Sequence, residues 1–233
     1  MFYGYPFLYD PTYVLVLIAF AITLFASFGV KGTFSKYNKI KSSQGITAYD
    51  AARRILDENG LNHIRIERVS GNLTDHYSPK ENVIRLSDAT YNSTSVAAIG
   101  VAAHECGHAV QYKLGYAPIK LRNSLVGIVN ISNALSMPLF LVGLIFGLTK
   151  LAFLGAILFG VVLLFQIITL PVEFNASGRA LKTLSEMNIL ADSELKGAKK
   201  TLKAAAMTYV ASVAATALQV LRLLLIANNR RRR

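Results

Sequence analysis

The sequence predicts a mainly α-helical membrane protein with a small α+β part and three to four transmembrane helices. Three observations carry this. The 233 residues are 53% hydrophobic and only 16% charged, more apolar than soluble domains usually are. The apolar residues fall in blocks, and residues 13–30, 137–148 and 151–170 contain no Asp, Glu, Lys or Arg. Between the first two blocks the chain turns polar and shows both helical and strand periodicity.

The first block, Tyr13 to Val30, is long enough for a hydrocarbon core of ~30 Å at ~1.5 Å per residue. No basic leader or small-residue cleavage site precedes it, so it reads as a retained anchor. Lys31, Lys36, Lys39 and Lys41 follow it, which places this flank in the cytoplasm and the N-terminus outside. Thr47 and Asp50 fit the N-cap and N3 acid of a helix running to about Asn59, with Gly60 just past its end. The run His63 to Val69 alternates as a half-buried strand, Gly71 to Lys80 is turn-rich, and Asn82 to Ser87 alternates again. A helix starting near Thr94 or Ser95 runs through an alanine-rich stretch to about Lys113 and ends at Gly115.

Beyond this, residues 126–148 form a weaker span containing Pro138, and 151–170 a clear span ending at Pro171. Only Thr149 and Lys150 separate them, so the two form a hairpin that returns Glu173 to the side of residues 31–122. The last apolar segment, Ala204 to Leu221, is basic on both flanks. It reads either as a fourth span or as a helix lying on the domain or membrane surface. The expected organisation is therefore an N-terminal segment with the first transmembrane helix (1–30), a cytoplasmic α+β part (31–122), a transmembrane hairpin (123–172) and a helical C-terminal part (173–233).

The net charge is +12, and Arg230 to Arg233 close the chain. Beside long apolar segments this excess points to the inside-positive bias of membrane proteins and to anionic lipid. Nucleic acid is disfavoured, because no basic stripe interleaved with aromatics is present. The single cysteine, Cys106, excludes an intramolecular disulfide and a Cys-rich metal knuckle. It lies two positions from each of two histidines, on the far side of their helix, and reads as packing.

Those histidines form the informative motif, His104-Glu105-Cys106-Gly107-His108. Residues four apart on a helix differ by about 40° in rotation and about 6 Å in rise, so both imidazoles can face one ion. Glu105, beside the first histidine, can reach a water on that ion without ligating it. The chemistry indicated is zinc-dependent hydrolysis with Glu105 as general base, His104 and His108 as ligands, and Zn2+ as cofactor. The strand at Asn82 to Ser87, just upstream, offers an edge on which an extended peptide could pair.

A third ligand is needed. No histidine or cysteine follows His108, and the downstream carboxylates are Glu173, Glu186, Asp192 and Glu194. Glu173 stands where the hairpin returns to the membrane surface, and a carboxylate there is costly unless paired or ligating. It is the expected third ligand, with pairing to Arg179 the competing account. His76 is the other candidate for active-site work, stabilising an oxyanion or orienting a ligand. It reads equally as a turn histidine held by Asp75.

The runs Ala97 to Gln111, Leu73 to Tyr77, Gly115 to Pro118 and Leu170 to Ser177 together resemble the YugP-like membrane zinc metallopeptidases of bacteria. A wider likeness is to gluzincin membrane peptidases such as HtpX and the CAAX prenyl protease. The resemblance implies a small zincin-like catalytic domain, a bacterial inner-membrane location, and a glutamate after a span completing the zinc site, as Glu173 would here. Aspartate is usual in that family where this chain has Asn175, and arginine where it has Gly178. The leading expectation is a zinc endopeptidase acting on membrane-associated or unfolded protein substrates, with the lipid bilayer as its surroundings. A zinc-stabilised adaptor or chaperone-like protein without catalysis is the alternative, and a purely electrostatic binder ranks below both.

Overall fold

The computed structural model describes residues 10–231. The aromatic stretch before Asp10 and the last two arginines, Arg232 and Arg233, lie outside the described residues. The elements are α1 (Tyr13–Tyr37), α2 (Ala48–Glu58), β1 (Arg65–Val69), β2 (His76–Ser78), β3 (Val83–Ser87), α3 (Val96–Lys113), α4 (Ala117–Ile145), α5 (Thr149–Glu186) and α6 (Asp192–Arg231). Among the described residues the chain is mainly helical with one small sheet, and four helices are long and apolar enough to cross a membrane. Two compact units divide it: Ser27–Leu121 with Thr169–Thr208, and the remainder.

In the first unit, α2 begins on a complete capping box. The Thr47 side chain accepts from the Asp50 backbone N–H, and the Asp50 carboxylate accepts from that of Thr47. Ala48, Ala51, Ala52, Ile55 and Leu56 are buried, the spacing of a single apolar face. Gly60, at φ +60°, lets the chain leave the helix in the left-handed region. The sheet order is β1-β3-β2, with β1 parallel and β2 antiparallel to β3. Val83, Ile84 and Leu86 of β3 join Ile64, Ile99 and Leu184 in one core.

Two sequence expectations change here. Strand β2 arises inside the stretch read as turns, because three residues among turn formers are too few to show alternation. Strand β3 is the middle of the sheet, so the edge expected for a peptide at Asn82 to Ser87 is occupied on both sides. A free edge belongs instead to β2. That strand is pinned by Asp75, whose carboxylate accepts from the Ser87 N–H at 2.7 Å and the Ser87 hydroxyl at 3.0 Å. Tyr77 of β2 meets Tyr112 of α3 edge-on, with ring centres 5.6 Å apart.

In the second unit, helices pack on small residues. A Cβ on Gly155 of α5 would lie 2.6 Å from the Ser136 carbonyl oxygen of α4, so only glycine permits this approach. Phe140, Ala152, Ala156, Leu223 and Ala227 form the buried cluster of α4, α5 and α6. The last apolar segment lies within α6, one of the four helices long and apolar enough to cross a membrane, and Leu223 and Ala227 just beyond it pack in this cluster. Arg222 sits 3.5 Å from Asp10 and 4.7 Å from the Tyr13 ring centre, beside the start of α1.

The hairpin also differs in detail. Its turn is Phe146 to Leu148, with Gly147 at φ +69°, and Thr149 and Lys150 already belong to α5. Helix α5 does not stop at Pro171 but continues to Glu186. Proline removes one backbone donor without preventing helix, and neighbouring groups can take up the freed carbonyl.

Candidate metal centre

Helix α3 carries the histidine pair. Ser95 caps it, its hydroxyl accepting from the Ala98 N–H at 3.1 Å and donating to Asn38 Oδ1 at 2.6 Å. Small residues then let other helices approach. A Cβ on Gly100 would touch Ala198 of α6 at 3.1 Å. A Cβ on Gly107 would lie 2.6 Å from the Ala176 carbonyl oxygen of α5, so a side chain there is excluded without moving backbone. Gly107, between the two histidines, is therefore what brings α5 against the motif.

That approach delivers Glu173. Its Oε2 lies 3.4 Å from His104 Nε2 and 3.6 Å from His108 Nε2. The three residues offer donor atoms that all lie within 4.8 Å of one another. Tetrahedral zinc with bonds of 2.0–2.2 Å spaces its N and O ligands about 3.4 Å apart, close to the two distances from Glu173 to the histidines. The Glu173 side chain is only 6% exposed, and its Oε2 is buried with no hydrogen-bond partner. An orphaned carboxylate oxygen facing two imidazole nitrogens calls for a cation. The donor set fits zinc.

Arg179, the competing partner for Glu173, is engaged elsewhere: its Nε donates to Asn175 Oδ1 at 2.8 Å. Glu105 is buried on α3, and Cys106 is fully buried with its thiol toward the Ala52 carbonyl at 3.6 Å. Burial pushes the Cys106 thiol well above its ordinary range, so it stays protonated. His76 stands exposed on β2, outside the cluster, with Nδ1 2.9 Å from the Thr74 carbonyl oxygen. Asp75, its proposed holder, is bound to Ser87 instead.

The outer contacts of the histidines carried no role in the sequence reading. His104 Nδ1 is 3.1 Å from the Ser177 hydroxyl, and His108 Nδ1 is 3.0 Å from Gln111 Oε1. Gln111 is completely buried, and its Nε2 donates to the Val172 carbonyl at 2.8 Å and to Asn175 Oδ1 at 3.0 Å. The spacing offered a signal. Gln111 is three residues after His108, and Ser177 four after Glu173, so each shares a helix face with a ligand candidate.

A histidine pair one turn apart, faced by a buried glutamate on a neighbouring helix, defines a candidate mononuclear metal site in a protein with four potential spans. The chain belongs to the family described as "Putative neutral zinc metallopeptidase", which matches residues 12–228. It is 43% identical over 217 residues to "Putative membrane protease YugP" of Bacillus subtilis (strain 168), covering 93% of this chain and 96% of that protein. No solved structure matches the chain.

Proposed function

We propose that the protein is a membrane-embedded zinc endopeptidase in which His104, His108 and Glu173 hold the metal and Glu105 is the general base. The observation that carries this is the buried Glu173 Oε2, without a hydrogen-bond partner, facing both Nε2 atoms at 3.4 and 3.6 Å, the spacing of ligands on tetrahedral zinc. Zinc, when bound, supplies a Lewis acid that lowers the pKa of water toward ~7 and polarises a carbonyl.

Glu105 takes the proton of the attacking water as the water oxygen bonds to the scissile carbonyl carbon. It then gives that proton to the amide nitrogen as the C–N bond breaks, leaving a carboxyl and an amine. The free edge of β2, tied to α3 through Tyr77 and Tyr112, supports binding of the substrate as an added strand. His76 lies on that strand. Its Nδ1–H is spent on Thr74, so only a charged ring would donate from Nε2 to a substrate oxygen. The lysines at 31, 36, 39 and 41 support a cytoplasmic site in a bacterial inner membrane. Substrates would then be unfolded or membrane-associated proteins presented at the bilayer surface.

A non-catalytic adaptor would need a closed structural site with four protein ligands. Among the described residues the cluster has three, which favours a position left open for water. The test compares zinc content and casein cleavage for parent and Glu105→Gln protein. Expected are about one zinc per chain in both, as one such site requires, and cleavage slowed by about 10²–10⁴-fold in the variant. Equal cleavage by both proteins would remove Glu105 from the mechanism, and absence of zinc from both would remove the metal.

A further inference from the structure

Amide oxygen and nitrogen are told apart by what they bond, and here the bonding runs in one direction from a group that can only donate. Arg179 Nε lies 2.8 Å from the Asn175 side chain, and a guanidinium has no acceptor, so Asn175 must present its oxygen. Gln111 faces that same oxygen at 3.0 Å and the Val172 carbonyl at 2.8 Å, two acceptors that both demand its NH2 group. Its oxygen is then turned to His108 Nδ1 at 3.0 Å. An amide oxygen only accepts, so Nδ1 must carry the hydrogen. A neutral imidazole has one N–H, which leaves the lone pair on Nε2, the atom 3.6 Å from Glu173 Oε2.

We infer that Gln111, oriented by the Val172 carbonyl and by the Asn175 oxygen that Arg179 holds in place, fixes the tautomer of His108 and so makes Nε2 its metal-facing lone pair. This rests on the metal site proposed above, while the tautomer itself is a property of the metal-free protein. Gln111 is fully buried, so water does not compete for its hydrogen bonds. Its contact with Val172 also ties the turn of α5 before Glu173 to the turn of α3 after His108. The other histidine lacks this control. His104 Nδ1 meets the Ser177 hydroxyl at 3.1 Å, and a hydroxyl donates or accepts as required. Gln111, Asn175 and Arg179 are thus positioning residues, acting on the ligand and not on the substrate.

The experiment is nitrogen NMR of metal-free, full-length protein labelled with ¹⁵N-histidine, held above the imidazole titration range. The chain has only four histidines, so His63→Asn, His76→Asn and His104→Asn variants assign three signals and leave His108 as the fourth. His108 in the parent is expected in the Nδ1–H form, opposite to the form that free imidazole side chains favour in water. Gln111→Leu is expected to shift it toward Nε2–H and to weaken zinc binding by about 10–100-fold; Arg179→Met should do so to a smaller extent, because the Val172 carbonyl still orients Gln111. Asn175→Leu should do the same, while Asn175→Asp, which keeps the acceptor, should recover both readouts. Far-UV circular dichroism checks that each variant is folded.

An Nε2–H form of His108 in the parent would overturn the inference. So would unchanged tautomer and zinc affinity in folded Gln111→Leu, or Asn175→Asp behaving like Asn175→Leu. A parent that binds no zinc yet holds His108 as Nδ1–H would instead refute the proposed metal site and leave the relay standing.

Discussion

In the unit built around α2, the sheet and α3, apolar side chains turn inward: Ile55, Ile64, Ile84 and Ile99 are each at most 1% exposed. In the first part of α1 the same chemistry turns outward, with Leu17, Phe20 and Phe25 at 67%, 63% and 78% exposed. Water explains the first pattern, through the area removed from it. The second suits hydrocarbon, where exposed apolar surface costs nothing and helices adhere through close contact of small residues. Gly155 and Ala156 hold the bundle in this way. Gly100 and Gly107 show that the α+β unit borrows the same device where α3 must meet other helices. Apolar content alone therefore does not say which solvent a helix faces. Its periodicity and its small residues do.

The comparison predicts that chemistry depends on one unit and anchoring on the other. The largest effect is expected for Glu173→Ala, which removes one of the three proposed metal donors and should weaken zinc binding by more than the ~10–100-fold typical of losing an outer hydrogen-bond partner; equilibrium dialysis against a zinc chelator measures it. Retention of parental affinity would reassign the third ligand.

Next is a matched pair. Ile99→Ala, fully buried, should cost about 2–5 kcal/mol in denaturant unfolding followed by loss of bound zinc. Leu17→Ala, on the outward face of α1, should change the same quantity by no more than about 0.5 kcal/mol. Equal costs would erase the distinction between the two units.

Gly107→Ala drives a methyl against the Ala176 carbonyl and should cost about 1–3 kcal/mol of stability, with zinc affinity reduced as α5 is pushed from α3. Alanine is the better helix former, so a stabilised variant would show that the helices are not pressed together there. The smallest effect is at Cys106: buried and held protonated, it should resist iodoacetamide in the native protein and react only after unfolding, as mass spectrometry would register.

Much of this was legible from local signals. The capping pair Thr47 and Asp50, the Ser95 cap, and the stops at Gly60 and Gly115 each follow from backbone chemistry within a few residues. The histidine spacing likewise needs only helical geometry. Features set by distant partners were harder to see. Strand β2 exists because β3 offers it an edge and Asp75 reaches Ser87. Pro171 looked like a helix end because its local penalty is visible in sequence, whereas the packing that overrides it is not. Gln111 was hidden for a similar reason, as its partners Val172 and Asn175 lie across an interhelical contact permitted by Gly107.

The uninterrupted course of α5 has a consequence for biosynthesis. His104 and His108 leave the ribosome before the α4–α5 hairpin, and Glu173 leaves after most of it, on the same helix that completes the hairpin. The donor set therefore cannot close on a nascent chain until both arms of the hairpin have been made. A truncated or stalled chain carries the histidine pair without its glutamate. Order of synthesis thus withholds the complete candidate centre until three of the four long apolar helices have been made in whole or large part.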